Sequence, residues 1–108
     1  MTKGNIVLVP FPFTDLSGQK VRPALILYSS KNGEDCIVVF ISSRAQKKML
    51  EFDLALPASP ANGLKIDSVI KIDKIATLQK KIVLGTLGIL DLPSLTIIDT
   101  KLKKLFRL

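Results

Sequence analysis

The sequence predicts a small, mostly β domain that ends in a single helix. Three observations carry that expectation. Short apolar runs recur between residues 5 and 87, each strand-sized and bounded by Gly, Pro, Asn or Ser. One of them alternates between apolar and acidic positions. Helical spacing emerges only after Pro93. Strands first and one helix last read as a barrel or sandwich with the helix packed against it. A chain of 108 residues fits one domain, 1–108, and leaves no room for two.

The elements follow in order. Residues 5–11, NIVLVPF, form a short apolar strand, and residues 22–29, RPALILYS, a second. KNGED at 31–35 is a turn whose Asn-Gly pair signals a hairpin into the third strand. That strand, DCIVVFIS at 35–42, is apolar almost throughout, the pattern of a strand buried on both faces. In LEFDLAL at 50–56, Leu50, Phe52, Leu54 and Leu56 fall on one face, with Glu51 and Asp53 on a solvent face. PASPANG at 57–63 is a loop. In DSVIKIDKI at 67–75, Val69, Lys71 and Asp73 share one face while Ile70 and Ile72 share the other. IVLGTL at 82–87 reads as one more strand. Apolar residues at 95, 98, 102, 105 and 106 then fit a helix, with Pro93 near its first turn and basic residues in its last.

Composition narrows the function. The apolar share of 47% is enough for a core. No apolar run approaches the ~18 residues that a membrane span needs. The start, MTKGNIVLV, lacks the pattern of a secretory signal, so a cytoplasmic location is expected, with no membrane partner. Cys36 is the only cysteine and lies in an apolar run, which reads as a small core residue. There is no histidine, so the usual general base and the commonest metal ligand are missing. Sixteen basic residues against nine acidic ones give +7, a balance that suits a polyanion. The last eight residues, KLKKLFRL, carry four positive charges and no negative one; without them, 12 basic residues still face 9 acidic ones.

Three polar groups interrupt the apolar strands. Arg22 precedes Pro23, which favours extended backbone at the entry to the second strand. Its guanidinium either fits phosphate oxygens or makes a surface ion pair. Ser42 and Ser43 end the third strand and either donate to a phosphate or cap a turn. Arg44, Lys47 and Lys48 follow as a basic patch, for an RNA backbone or for solvent. Lys71 and Asp73 lie two apart on one strand, either a structural pair or part of a phosphoryl-transfer site. A carboxylate beside fixed cations is the minimum kit for that chemistry without histidine, with charge stabilisation ranking above base catalysis.

GNIVLVPFPFTDLSGQKVRPALIL (4–27) resembles the opening of the MazF/PemK family of bacterial toxins. VVFISS (38–43), GLKIDSVIKIDKIATLQKKIV (63–83) and LGTLGILD (84–91) continue the likeness in order, over nearly the whole chain. The resemblance implies an SH3-like barrel of the CcdB/PemK type with a terminal helix, as a homodimer. It implies an endoribonuclease without metal or other cofactor. Such an enzyme cuts single-stranded RNA at short sequences by 2′-hydroxyl attack, leaving 2′,3′-cyclic phosphate and 5′-hydroxyl ends. A cognate antitoxin covers the groove with an acidic C-terminal segment.

Carried over by position, Arg22, Ser42 and Asp73 match the catalytic Arg, Thr and carboxylate, with Ser43 as a second candidate hydroxyl. Lys71 stands where some members carry a second Arg, and with Ser43, Arg44 and Lys47 falls to RNA binding. Phe13 and Thr14 lie in the first inter-strand loop, which flanks the RNA groove in this family; Phe13 either stacks on a base or anchors the loop. The chain departs from the pattern in four ways. Ser42 lacks the methyl of Thr, Lys71 lacks the fork of Arg, the first loop has no His, and Ala76 stands where many members have Arg. Two other readings share the fold: an RNA- or antitoxin-binding module with weakened catalysis, and a toxin that inhibits DNA gyrase through its helix.

Overall fold

The computed structural model describes residues 1–10, 20–43 and 48–108. Six strands form one antiparallel sheet: β1 (Asn5–Pro10), β2 (Val21–Ser29), β3 (Asp35–Ser42), β4 (Asp53–Leu56), β5 (Ser68–Gln79) and β6 (Gly85–Ile89). Their order across the sheet is β4-β5-β3-β2-β1-β6. Helix α1 (Leu92–Phe106) follows. The sheet curls into a half-barrel, and irregular register accounts for the bending. The largest break separates the pair Val39–Ile75 from Phe40–Lys71, so Ile72, Asp73 and Lys74 bulge out of β5 with no opposing residues on β3.

Strand alternation gives the sheet two apolar faces. Ile6, Leu25, Val39, Ile41, Ile70 and Ile72 point to one, and α1 covers them with Ile98, flanked by Leu95 and Leu102. Val7, Val9, Ala24, Ile26, Val38 and Phe40 point to the other, where Ala76, Leu78 and Val83 pack against them. The expectation that the third strand is buried on both faces therefore holds. Cys36 is buried with the second group, and burial pushes its thiol pKa up.

The helix begins where Pro93 predicts. Asp91 caps it, accepting the Ser94 backbone N–H at 3.0 Å and the Ser94 hydroxyl at 2.8 Å. Arg107 ends it in the left-handed region at φ 56. The basic terminal residues are thus largely helical. Lys101 donates to the Glu51 carbonyl and Lys104 pairs with its carboxylate, each at 2.8 Å.

Two expectations are corrected. The chain at 80–82 is a 3₁₀ turn, not strand, and β6 starts only at Gly85. Lys80 N–H bonds to Glu34 and Leu84 N–H to Leu8, so the chain must turn a corner there before it can pair with β1. In the LEFDLAL run, only residues from Asp53 onward are strand, Leu50 is 58% exposed, and Asp53 is buried rather than facing solvent. Residues 50–53 form a tight turn, closed by Asp53 N–H to the Leu50 carbonyl at 3.1 Å. That turn breaks the alternation the sequence suggested.

Candidate functional site

Of the expected site residues, Arg22, Ser42 and Lys71 lie towards one end of the sheet. The β2–β3 pairing ends with Ala24 opposite Phe40, and Arg22 and Ser42 each lie two residues beyond that pair on their strands, on its face of the sheet. Ser42 in turn opposes Val69 on β5, and Arg22 opposes Val9 on β1. The next row on the same face runs Val7, Ala24, Phe40, Lys71 and Asp53. Arg22, Ser42 and Lys71 thus occupy one face of three adjacent strands, in neighbouring rows.

Ser43 follows Ser42 and faces the other way, as strand geometry requires. It lines a cavity of about 310 Å³ on the helix-side face, shared with Leu8, Pro23, Leu64, Ile66 and Ser68. The cavity wall depends on Gly63, at φ 71, where a Cβ would overlap the Leu87 carbonyl. The buried side chain of Asn62 fixes that loop. Its carbonyl oxygen accepts the N–H groups of Ser59 and Leu64, each at 3.0 Å, and its amide donates to the Pro57 carbonyl at 2.8 Å.

Asp73 is exposed on the β5 bulge. The bulge interrupts the strand between Lys71 and the Ile75 pair, so the side-by-side placement of Lys71 and Asp73 does not follow from regular alternation here. The ion pair Lys71 makes is with Asp53, Nζ to Oδ1 at 2.9 Å. Sequence reasoning missed Asp53 altogether. An acid in an alternating run gave no sign that it would meet a lysine eighteen residues later, because a cross-strand contact leaves no mark of that kind.

Phe13, Thr14, Arg44 and Lys47 lie outside the described residues. The described ends that flank these segments are Pro10 and Lys20 for the first, and Ser43 and Lys48 for the second. Pro10 pairs with Val21, next to Arg22. Among the described residues, no cluster of His, Cys, Asp or Glu could hold a metal ion. None of the described helices is long and apolar enough to cross a membrane.

Residues 2–106 match the sequence profile of a family described as PemK-like, MazF-like toxin of type II toxin-antitoxin system. The chain belongs to this PemK/MazF-like toxin family. No curated protein matches it. Solved MazF toxins share its fold. MazF of Deinococcus radiodurans superimposes with a TM-score of 0.79 at 22% identity, covering 100% of this chain and 97% of that one. The Deinococcus radiodurans MazE-MazF structure gives the same figures. The Mycobacterium tuberculosis toxin MazF-mt6 gives 0.77 at 20% identity, covering 96% of this chain and 97% of that one. A mycobacterial endoribonuclease in complex with its cognate antitoxin gives 0.76 at 20% identity, covering 100% and 96%. At these identities the likeness establishes the fold. The MazF-like half-barrel with its terminal helix is thus the architecture of this chain.

Proposed function

We propose that this PemK/MazF-like toxin is a sequence-specific endoribonuclease that cuts single-stranded mRNA without a metal ion or other cofactor and arrests growth until its antitoxin binds. The observation that carries the reading is the shared face of Arg22 and Ser42 at the end of β2 and β3. A rigid guanidinium fork and a hydroxyl on adjacent strands can hold two oxygens of one phosphate.

The chemistry needs no histidine. A base takes the 2′-hydroxyl proton, O2′ bonds to phosphorus, and the P–O5′ bond breaks. The leaving O5′ gains a proton, giving a 5′-hydroxyl and a 2′,3′-cyclic phosphate. In this reading Arg22 stabilises the charge that builds on the phosphorane, the larger catalytic contribution. Ser42 hydrogen-bonds a non-bridging oxygen. Asp73 is the base or orients the nucleophile. Ser43, Arg44 and Lys47 hold the backbone, and Phe13 and Thr14 contact the strand from the first loop.

The partners in this reading are RNA, a second copy of the chain, and an antitoxin with an acidic C-terminal segment that complements the +7 charge. The location is the bacterial cytoplasm. The test is direct. Purified protein should cut a long RNA in EDTA, and sequencing the new 5′ ends should return one short motif. Arg22→Ala should abolish cleavage and growth arrest while the circular dichroism stays that of the folded protein. Undiminished cutting by that variant, or no cutting by the wild type, overturns the assignment.

A further inference from the structure

Lys71 lies one row from Arg22 and Ser42 on their face of the sheet, where a free ammonium would meet an RNA phosphate. It is not free. Its Nζ sits 2.9 Å from Asp53 Oδ1, with the lysine side chain 13% exposed and the aspartate side chain 2%. The second oxygen of Asp53 accepts the Leu50 backbone N–H at 3.0 Å. Both carboxylate oxygens are therefore occupied, and the carboxylate is buried while the ammonium side chain keeps only a small exposure.

We propose that Asp53 is the resident counter-ion of Lys71, and that the pair is a neutral positioning element for the RNA site rather than a phosphate ligand. Two arguments converge. The first is electrostatic. A phosphate drawing the ammonium outward would leave a buried carboxylate with no cation, and the cost of such a charge far exceeds what one surface ion pair with RNA returns. Approaching RNA therefore meets a pair with no net charge.

The second argument is architectural. Asp53 opens β4 straight after the turn at 50–53. The Phe52 carbonyl accepts the Ile72 N–H at 2.9 Å, next to the pair. The pair thus pins the start of β4 to the residue before the bulge that carries Asp73. It is a strut between the start of β4 and the β5 bulge, one row from Arg22 and Ser42. This role rests on the endonuclease reading above.

The test measures charge and geometry separately. The probe for binding is a fluorescent single-stranded DNA of mixed sequence, which has no 2′-hydroxyl and so cannot be cut by this route. Each phosphate that a cation neutralises contributes about 0.7 to the slope of log affinity against log salt. The Asp53→Leu, Lys71→Met double variant leaves no unpaired charge, and its slope should match the wild type. Asp53→Asn frees the ammonium, so its slope should steepen by about 0.7 with tighter binding. On RNA, the double variant should lose about ten- to a hundredfold in kcat through poorer positioning, with KM little changed.

A slope about 0.7 shallower in the double variant makes Lys71 a phosphate ligand and overturns the proposal, while leaving the endonuclease reading intact. An unchanged kcat removes the positioning role. Should the double variant fail to fold, Asp53→Asn decides alone: a slope that does not steepen overturns the counter-ion role. A wild type that neither binds the DNA nor cuts RNA overturns the functional reading and this inference together.

Discussion

Ser42 and Ser43 are adjacent in sequence and equally suited by type to be the working hydroxyl, yet strand geometry separates them. Ser42 ends β3 on the face of Arg22, opposite Val69, whereas Ser43 lines the cavity on the helix-side face. Ser42→Ala should therefore act on the chemical step and Ser43→Ala on binding. A hydrogen bond to a charged group contributes about 1.5–3 kcal/mol. At about 1.4 kcal/mol per tenfold, loss of the Ser42 hydroxyl should slow cleavage by about ten- to a hundredfold. The assay is single-turnover cutting of one defined RNA in EDTA, with enzyme titrated to saturation. Ser42→Thr should keep the wild-type rate, because it retains the hydroxyl. Ser43→Ala should raise the enzyme concentration needed for half-saturation and leave the saturated rate less affected than Ser42→Ala does. A greater loss of saturated rate in Ser43→Ala than in Ser42→Ala would refute the assignment by face.

Two further outcomes test the frame that holds the site. Ile98 is fully buried under the sheet while Ile97 beside it is 44% exposed, so Ile98→Ala should cost about 2–5 kcal/mol and Ile97→Ala far less. Chemical denaturation with equal m-values measures both, and equal losses would contradict the packing of α1. The hydroxyl and N–H of Ser94 hold the Asp91 carboxyl below its ordinary pKa of 3.8. Since the folded value is the depressed one, the cap contributes fully above the ordinary value and is lost as pH falls below it through the folded value. Asp91→Asn should therefore melt earlier than the wild type at neutral pH and converge with it in acid; a gap that persists at low pH would contradict the charged cap.

The broad plan was legible because it depends on local pattern. The run DCIVVFIS has no polar face, and β3 is accordingly the strand buried on both sides. Pro93 and the spacing of Leu95, Ile98 and Leu102 announced a helix, and the residue that best fits its buried stripe, Ile98, is the one fully enclosed. The misreadings lie where a long-range contact overrides alternation. The LEFDLAL run alternates well, but its first residues belong to a turn that brings Asp53 to Lys71. The IVLGTL run is apolar enough for a strand, but it starts inside the 3₁₀ turn at 80–82, and the Val83 N–H bonds back to the Lys80 carbonyl.

The candidate site divides along the same line. Arg22-Pro23, the serine pair and the lysine with its aspartate were visible as residue types that suit a phosphate, each at a definite position in the chain. By itself the sequence determined a basic, mostly β fold with a terminal helix, apolar strands for its core, and candidate site groups confined to guanidinium, ammonium, hydroxyl and carboxylate. The tertiary structure alone decided which of these share a face. Register puts Arg22 on the face of Ser42, turns Ser43 away, lifts Asp73 onto a bulge and gives Lys71 to Asp53. A pairing between strands is set by the summed fit of two whole segments, and no single residue in either one records it.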